Sequence, residues 1–350
     1  MINRIKIKNL KGIKEGELDL FPLTILLGSN NSGKTTILEA LFLASNPFRE
    51  VPYFDKDKNL LAAEVLQLMH ETLKAEGFAF LLHRYIAQEA EIDCNVNSEN
   101  YILKFIKAFD KPYIYISSNR KIPKENIIHI DIRGKGIIPS IGHLSLFNNE
   151  LHAYFDLFLV DKSLLISPNL IKFGYNYLEK NWASIINMGV CRKVAEESST
   201  LSNESYKDIT IEPFLGGKLS IYAYLEDGTR IRLGDLGEGI QSYIITRILY
   251  EVEGPSIVLW DDVESHFNPK ILFKISNWFG DLLDEGKQIV LTTHSLEAAR
   301  IIGEINEEKA GIYLINLDKN ILKTKKITLE EIEEFKEAGI DVRVADSMLL

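Results

Sequence analysis

The sequence predicts an α/β fold with a mostly parallel sheet, and three observations predict it. Short apolar runs suited to strands buried on both faces recur along the chain: "LTILL" (23–27), "SIVLW" (256–260), "QIVLTT" (288–293) and "GIYLINL" (311–317). Segments of helical spacing separate them, and strands alternating with helices build a parallel sheet. The 350 residues are 46% hydrophobic and 26% charged, the composition of a globular chain long enough for one large or two ordinary domains.

The elements follow in order. Ile2, Ile5 and Ile7 alternate as a strand, a turn falls at Lys11-Gly12, and a second strand lies near 17–20, giving N-terminal antiparallel strands. "LTILL" runs straight into "GSNNSGKTT" and then "ILEALFLAS", where Ile37, Leu38, Leu41 and Phe42 recur at helical spacing. From 46 to 208 the character changes. Prolines at 47, 52, 112, 123, 139 and 168 punctuate it, and helical-looking pieces (60–75, 144–165) mix with β-type ones such as "YIYISS". The expectation is one domain made of 1–45 and 209–350, with 46–208 as a large mixed insertion subdomain. No heptad is sustained, so no long coiled-coil arm is expected. "EESSTLSNES" (196–205) reads as an exposed loop. A hairpin follows, "KLSIYAYL" and "TRIRL" around Glu226-Asp227-Gly228, and then "GDLGEGIQSYI" (234–244) opens a helix through Tyr250. Helices near 269–284 and after 293 separate the last strands.

Bulk properties exclude several classes. No apolar run approaches the roughly 18 residues of a membrane span, and the N-terminal stretch lacks the apolar core of a signal peptide. Cys94 and Cys191 are the only cysteines, too few for a disulfide framework or a zinc cluster. A cytoplasmic location without membrane contact is the expectation. The net charge of −10 argues against a chain basic all over.

Residues 28–35 fit G-x-x-x-x-G-K-[ST] at every fixed position, between a strand and a helix. Gly28 and Gly33 let the backbone of Ser29, Asn30, Asn31 and Ser32 curl around a polyphosphate, and the helix carrying Thr36 aims its positive end at the same charge. Lys34 reaches the β- and γ-phosphates, and the Thr35 hydroxyl suits a Mg²⁺ shell. This pattern predicts binding of a nucleoside triphosphate, ATP. "SIVLWDDVESHFNP" ends a buried strand on two acids. A carboxylate there faces the ligand crevice, so Asp261 is the candidate Mg²⁺ partner and Asp262 the candidate base for an attacking water. "VLTTHS" brings His294 to the end of the next strand, within reach of the γ-phosphate.

"GSNNSGKTT", "LGEGIQ", "LWDDVESHFNP" and "TTHS", in that order, resemble the motifs of the ABC-type ATPase superfamily, and within it the soluble SMC/RecF/OLD-like ATPases. The opening "INRIKIKNLKGIKEGELDLFPLTILLG" is similar to that branch. The resemblance covers 1–45 and about 215–317. It implies a P-loop head that forms a homodimer around ATP, with Leu236, Gly237, Glu238 and Gly239 as the signature loop closing over the partner's γ-phosphate. On that reading Gly239 is the sensitive position, since a side chain would stand between backbone and phosphate.

Two departures matter. Gly237 stands where the family has serine, which removes one charge-assisted hydrogen bond of about 1.5–3 kcal/mol. Asp262 replaces the family's glutamate and is shorter by one C–C bond of about 1.5 Å. Slow hydrolysis is the expectation, with Glu264 as substitute base. No Q-loop glutamine is assigned, because the insertion interrupts the region where it falls. Only 56 residues follow His294, too few for the TOPRIM nuclease domain of OLD proteins. The lone D-x-D, Asp55-Lys56-Asp57, reads as a solvated turn.

Three functions compete: an ATPase acting on DNA or on a nuclease or other effector partner in repair or antiviral defence, a regulatory ATPase assembling protein partners, and a transporter subunit. The N-terminal pattern and the insertion speak against the last. Eight Lys/Arg against three acids between 104 and 135, with Tyr113 and Tyr115 interleaved, form a candidate nucleic-acid contact that is more often a solvated face.

Overall fold

A computed structural model describes residues 1–45, 49–54, 60–70, 79–97, 99–108, 111–118, 127–132, 137–141, 144–145, 162–168, 170–202, 204–214 and 218–339, with backbone alone between 106 and 145. In chain order, β1 (Ile2–Leu10) and β2 (Ile13–Asp19) form a hairpin, and β3 (Leu23–Leu27) leads to α1 (Lys34–Ser45). The short β4 (Glu50–Val51) and β5 (Leu60–Leu61) precede α2 (Ala62–His70). An antiparallel run follows: β6 (Glu89–Val96), β7 (Glu99–Ala108), β8 (Lys111–Ser118), β9 (Ile127–Ile132), β10 (Ile137–Ile141) and β11 (Leu144–Ser145). Next come β12 (Ser163–Ile166), α3 (Leu170–Asn187), α4 (Val190–Ser199), β13 (Tyr206–Pro213), β14 (Leu219–Leu225) and β15 (Arg230–Arg232). The chain continues through α5 (Glu238–Glu253), β16 (Ile257–Trp260), α6 (Pro269–Asp284), β17 (Gln288–Thr293) and α7 (Leu296–Ile305). Last are β18 (Ala310–Asp318), β19 (Ile321–Ile327) and α8 (Leu329–Glu337).

Among the described residues, 14 strands make one sheet in the order β11-β10-β9-β8-β7-β6-β1-β2-β19-β18-β3-β17-β16-β12. The five at the β12 end, β18-β3-β17-β16-β12, run parallel, and the β1–β2 hairpin with β6–β11 forms an antiparallel wing. Burial explains the difference in sequence texture. Every residue of β3, β16 and β17 is buried, so these strands read as unbroken apolar runs. β1 buries Ile2, Ile5, Ile7 and Leu10 and turns Arg4, Lys6 and Lys8 to water. Each such Ile or Leu contributes about 1.5–3 kcal/mol by leaving water. The buried Gln288 side chain staples β1 to β17, accepting from the Ile2 N–H at 2.9 Å and donating to its carbonyl at 2.8 Å.

Local expectations differ from the structure in three places. Of the helical-looking 144–165 stretch, residues 146–161 lie outside the described residues, 144–145 form β11, and Ser163, Leu164 and Leu165 belong to β12, whose four buried residues pair with β16. The expected loop at 196–205 begins inside α4, which runs to Ser199 because Val194, Ala195 and Ser198 bury one face. The hairpin has a third strand, β13, paired along β14. Residues of the 46–208 stretch thus enter both ends of the main sheet, while α3 and α4 pack on α5. Asp55-Lys56-Asp57 and the side chains of the 104–135 basic stretch beyond Phe105 lie outside the described residues.

Candidate active site

The carboxyl ends of β3, β16 and β17 lie side by side, which is where an open parallel sheet forms its ligand crevice. From β3 the chain turns through residues 28–33 into α1. Asn31 (φ 62°) and Gly33 (φ +94°) adopt left-handed backbone, which Gly33 supplies without strain. Gly28 has no room for a Cβ, because the Ile315 carbonyl of β18 lies against it. Asn30 and Asn31 are exposed, Ser29 is half-buried, and Ser32 and Thr36 are buried.

The Lys34 ammonium is folded over this loop. It donates to the Gly28 and Ser29 carbonyls at 3.0 and 2.8 Å and lies 3.3 Å from Ser32 Oγ and 3.5 Å from His294 Nδ1. Burial lowers its pKa, against the pull of Asp262, Asp261 and Glu264 nearby. Thr35 Oγ1 donates to the Asp261 carboxylate, at 3.1 and 3.2 Å from its two oxygens.

Asp261 ends β16. Burial raises its pKa against hydrogen bonds from Thr292 and Thr35, with the Asp262 charge adding to the rise. The next residue, Asp262, sits at φ 49°, a left-handed conformation that costs a non-glycine residue energy and turns its carboxylate toward β17. There Asp262 Oδ1 lies 3.3 Å from His294 Nε2. Burial raises the Asp262 pKa as well, opposed by His294. Glu264 completes the cluster: Oε1 accepts from the His294 backbone N–H at 2.6 Å, and Oε2 is buried without a partner. The structure therefore brings Lys34, Thr35, Asp261, Asp262, Glu264 and His294 together.

One further residue joins them. Thr292 Oγ1 donates to Asp261 at 2.8 Å and accepts from the Asp262 N–H at 2.8 Å, fixing both acids at once. Its signal in the sequence is slight, a fully buried threonine closing an apolar strand two residues before His294. The donor set fits a hard divalent cation: Thr35 and Asp261 offer oxygen ligands side by side, and Mg²⁺ takes one or two such ligands with phosphate and water for the rest.

The 236–240 loop lies elsewhere on the chain. Glu238 and Gly239 contact the segment after Asp262, with Glu238 Oε2 2.8 Å from His266 Nδ1. A Cβ on Gly239 would stand 2.6 Å from the His266 carbonyl oxygen and 2.9 Å from Ile271 Cδ1. The absence of a side chain at Gly239 therefore has a cause inside the chain. Gly237 differs: it is exposed, caps α5, and has nothing within 4 Å of an added Cβ. Leu236 is half-buried, and its carbonyl accepts from Gln241 Nε2 at 2.6 Å. Caps position the neighbouring helices, as Asn268 accepts from the Ile271 N–H at 3.0 Å and Ser295 from the Ala298 N–H at 3.1 Å.

With this geometry the chain is similar to known proteins. An ATP/GTP phosphatase of Helicobacter pylori (strain ATCC 700392 / 26695) is 22% identical over 341 residues, covering 88% of this chain and 89% of that protein. Two solved structures share the fold at a TM-score of 0.55 and 12% identity. One is the Smc head domain with an extended coiled coil bound to the C-terminal domain of ScpA, derived from Pyrococcus furiosus, covering 96% of this chain and 98% of that one. The other is the SmcHead bound to the C-winged helix domain of ScpA, covering 95% of this chain and 99% of that one. No described helix is long and apolar enough to cross a membrane. Residues 23–299 match the family described as "AAA domain, putative AbiEii toxin, Type IV TA system", so the chain belongs to that family and is an ATPase of the AAA type.

Proposed function

We propose that the chain binds ATP over residues 28–36 and hydrolyses it slowly, with Thr35 and Asp261 holding Mg²⁺. The observation that carries this reading is the convergence of Lys34, Thr35, Asp261, Asp262 and His294 from three separate elements on one crevice. Lys34 exchanges the carbonyls of Gly28 and Ser29 for β- and γ-phosphate oxygens, a charge-assisted gain. Mg²⁺, when bound, supplies positive charge against the phosphates and orients them. Asp262 takes the proton of the attacking water, and His294 beside it supports the γ-phosphate. Glu264 is the alternative base, held beside Asp262 by the bond of its Oε1 to the His294 N–H. Slow turnover follows from the short reach of Asp262 and from Gly237, which has no hydroxyl to offer phosphate.

We further propose a cytoplasmic homodimer that closes on ATP, with residues 236–240 over the partner's nucleotide. The open space around Gly237 supports this. The dimer acts on DNA or on a DNA-processing partner. The family's description, a toxin of a type IV TA system, favours defence over repair. A regulatory ATPase that assembles protein partners without nucleic acid is the second reading, favoured by the net charge of −10. Phosphate release by the purified chain with Mg²⁺ tests the first claim. Parent activity above that of Asp262→Asn is expected, and no release by the parent contradicts it. Mobility of duplex DNA with and without ATP separates the two readings.

A further inference from the structure

Two uncovered apolar features lie beside the two loops of the site. The first is a turn between α2 and β6. Tyr85 is 65% and Ile86 72% exposed there, with Arg84 exposed before them. Arg84 (φ 53°) and Tyr85 (φ 62°) are both left-handed, a conformation that costs side chains of this size energy. Hydrogen bonds hold this turn on the β1–β2 turn. His83 Nδ1 donates to the Lys11 carbonyl at 2.8 Å, and the Lys11 N–H donates to the Leu81 carbonyl at 2.9 Å. Two residues on, Ile13 Cδ1 would lie 3.5 Å from a Cβ on Gly33. The exposed pair therefore stands on the side of the molecule that carries the phosphate loop.

The second feature is a cavity of about 500 Å³ between α3 and the sheet β13-β14-β15. Strand β14 turns Leu219, Ile221, Ala223 and Leu225 to one face. The last three are buried, but Leu219 is 57% exposed, so the apolar face is left open at that end. Ile211, Leu219 and Ile221 line the cavity from the sheet, and Tyr175 and Glu179 line it from α3. Gly234, two residues before Leu236, lines it as well. Hydrogen bonds tie it to the 236–240 loop. Tyr175 Oη donates to Gln241 Oε1 at 2.5 Å, and Gln241 Nε2 donates to the Leu236 carbonyl at 2.6 Å.

We propose that these features are the two halves of one contact between copies of this chain, Tyr85 and Ile86 of one protomer seating in the cavity of its partner. This rests on the dimer reading given above. Where the 236–240 loop of one copy meets the phosphate loop of the other, the structures beside them come face to face. The cavity lies beside the first loop and the turn beside the second. Two-fold symmetry makes the contact twice, because each copy carries both halves. The chemistry matches: two apolar side chains meet a wall of Ile211, Leu219 and Ile221, and Arg84 brings a positive charge to Glu179. Tyrosine and arginine set in a pocket are the usual anchors of an interface. Through Tyr175 and Gln241, filling the cavity also steadies the carbonyl of Leu236, at the start of the loop over the nucleotide.

The test is sedimentation with a non-hydrolysable ATP analogue, on Ile86→Asp and Leu219→Arg, separately and mixed. Both positions are exposed, so each variant should keep the parental Tm and ATP affinity while associating at least tenfold more weakly. An equal mixture should regain association. One contact of the mixed dimer is then intact, and the other sets the new carboxylate against the new guanidinium. Parental association by either variant alone overturns the proposal. So does a mixture that associates no better than its components. If either variant fails to fold, Ile86→Ser and Leu219→Ser take their place under the same criteria. Gly237→Arg separates this inference from the dimer reading. If it abolishes association while Ile86→Asp and Leu219→Arg do not, the inference falls and the dimer stands. A parent that stays monomeric with the analogue overturns both.

Discussion

Lys34 and Asp262 carry the chemistry at the scale of single residues. Lys34 is buried and donates to three groups of its own loop, so Lys34→Ala removes the charge that faces phosphate and should weaken ATP binding tenfold or more. Asp262→Asn keeps shape and most hydrogen bonds but takes no proton. It should bind ATP at parental affinity and release phosphate at a small fraction of the parental rate. Glu264→Gln serves as the comparison. If Asp262→Asn turns over normally and Glu264→Gln does not, the base is Glu264; if both turn over normally, the base lies outside this cluster. Gly237 and Gly239 also separate here. Gly237→Arg points into open space and should fold, bind ATP and fail to associate in sedimentation with a non-hydrolysable analogue. Gly239→Arg meets the His266 carbonyl and Ile271, so its defect should appear first as a lowered Tm.

At the scale of elements, α1 is held by more than apolar packing. Glu39, 1% exposed in the middle of that helix, is bonded to Lys11 of the β1–β2 turn and to His70 Nε2 of α2, the latter at 2.5 Å. Burial pushes the Glu39 carboxyl up, but His70 and Lys11 together hold it below the ordinary value of 4.5. A depressed folded-state pKa means stability that is present above the unfolded value and lost as pH falls through the folded one. The Tm of the parent should therefore hold from neutral pH to about 5 and fall below it. Glu39→Gln should cost about 3–5 kcal/mol at neutral pH and flatten the acid limb of that curve. Thermal unfolding across pH 3 to 7 checks both, and parallel curves for parent and variant would remove Glu39 from the account. Arg247 of α5 pairs with Glu197 of α4 at 2.9 and 3.0 Å and lies 4.3 Å from the Trp278 ring centroid. That clamp fixes the helix whose N-terminus carries Gly237.

For the whole molecule, the parallel core was legible because its signals are local. "LTILL", "SIVLW" and "QIVLTT" are buried on both faces, so composition alone marks them, and the phosphate loop sits between a strand and a helix that are adjacent in sequence. Beyond the β1–β2 hairpin, which was read from its alternation, the antiparallel wing was not, since β6 finds its partner β1 some ninety residues back and its alternation is shared with surface segments. β12 was hidden for a related reason: a serine and three apolar residues suit a helix as well as a strand until β16 lies beside them. Within the site, Lys34, Thr35, Asp261 and His294 could be read from motif and spacing. Thr292 could not, because its meaning lies in the register between strands. The central claim is that this crevice is built for ATP, and calorimetric titration of ATP with Mg²⁺ into the parent and Lys34→Ala tests it most directly. The account predicts one site per chain in the parent and at least tenfold weaker binding in the variant; equal affinity in the two chains would contradict it.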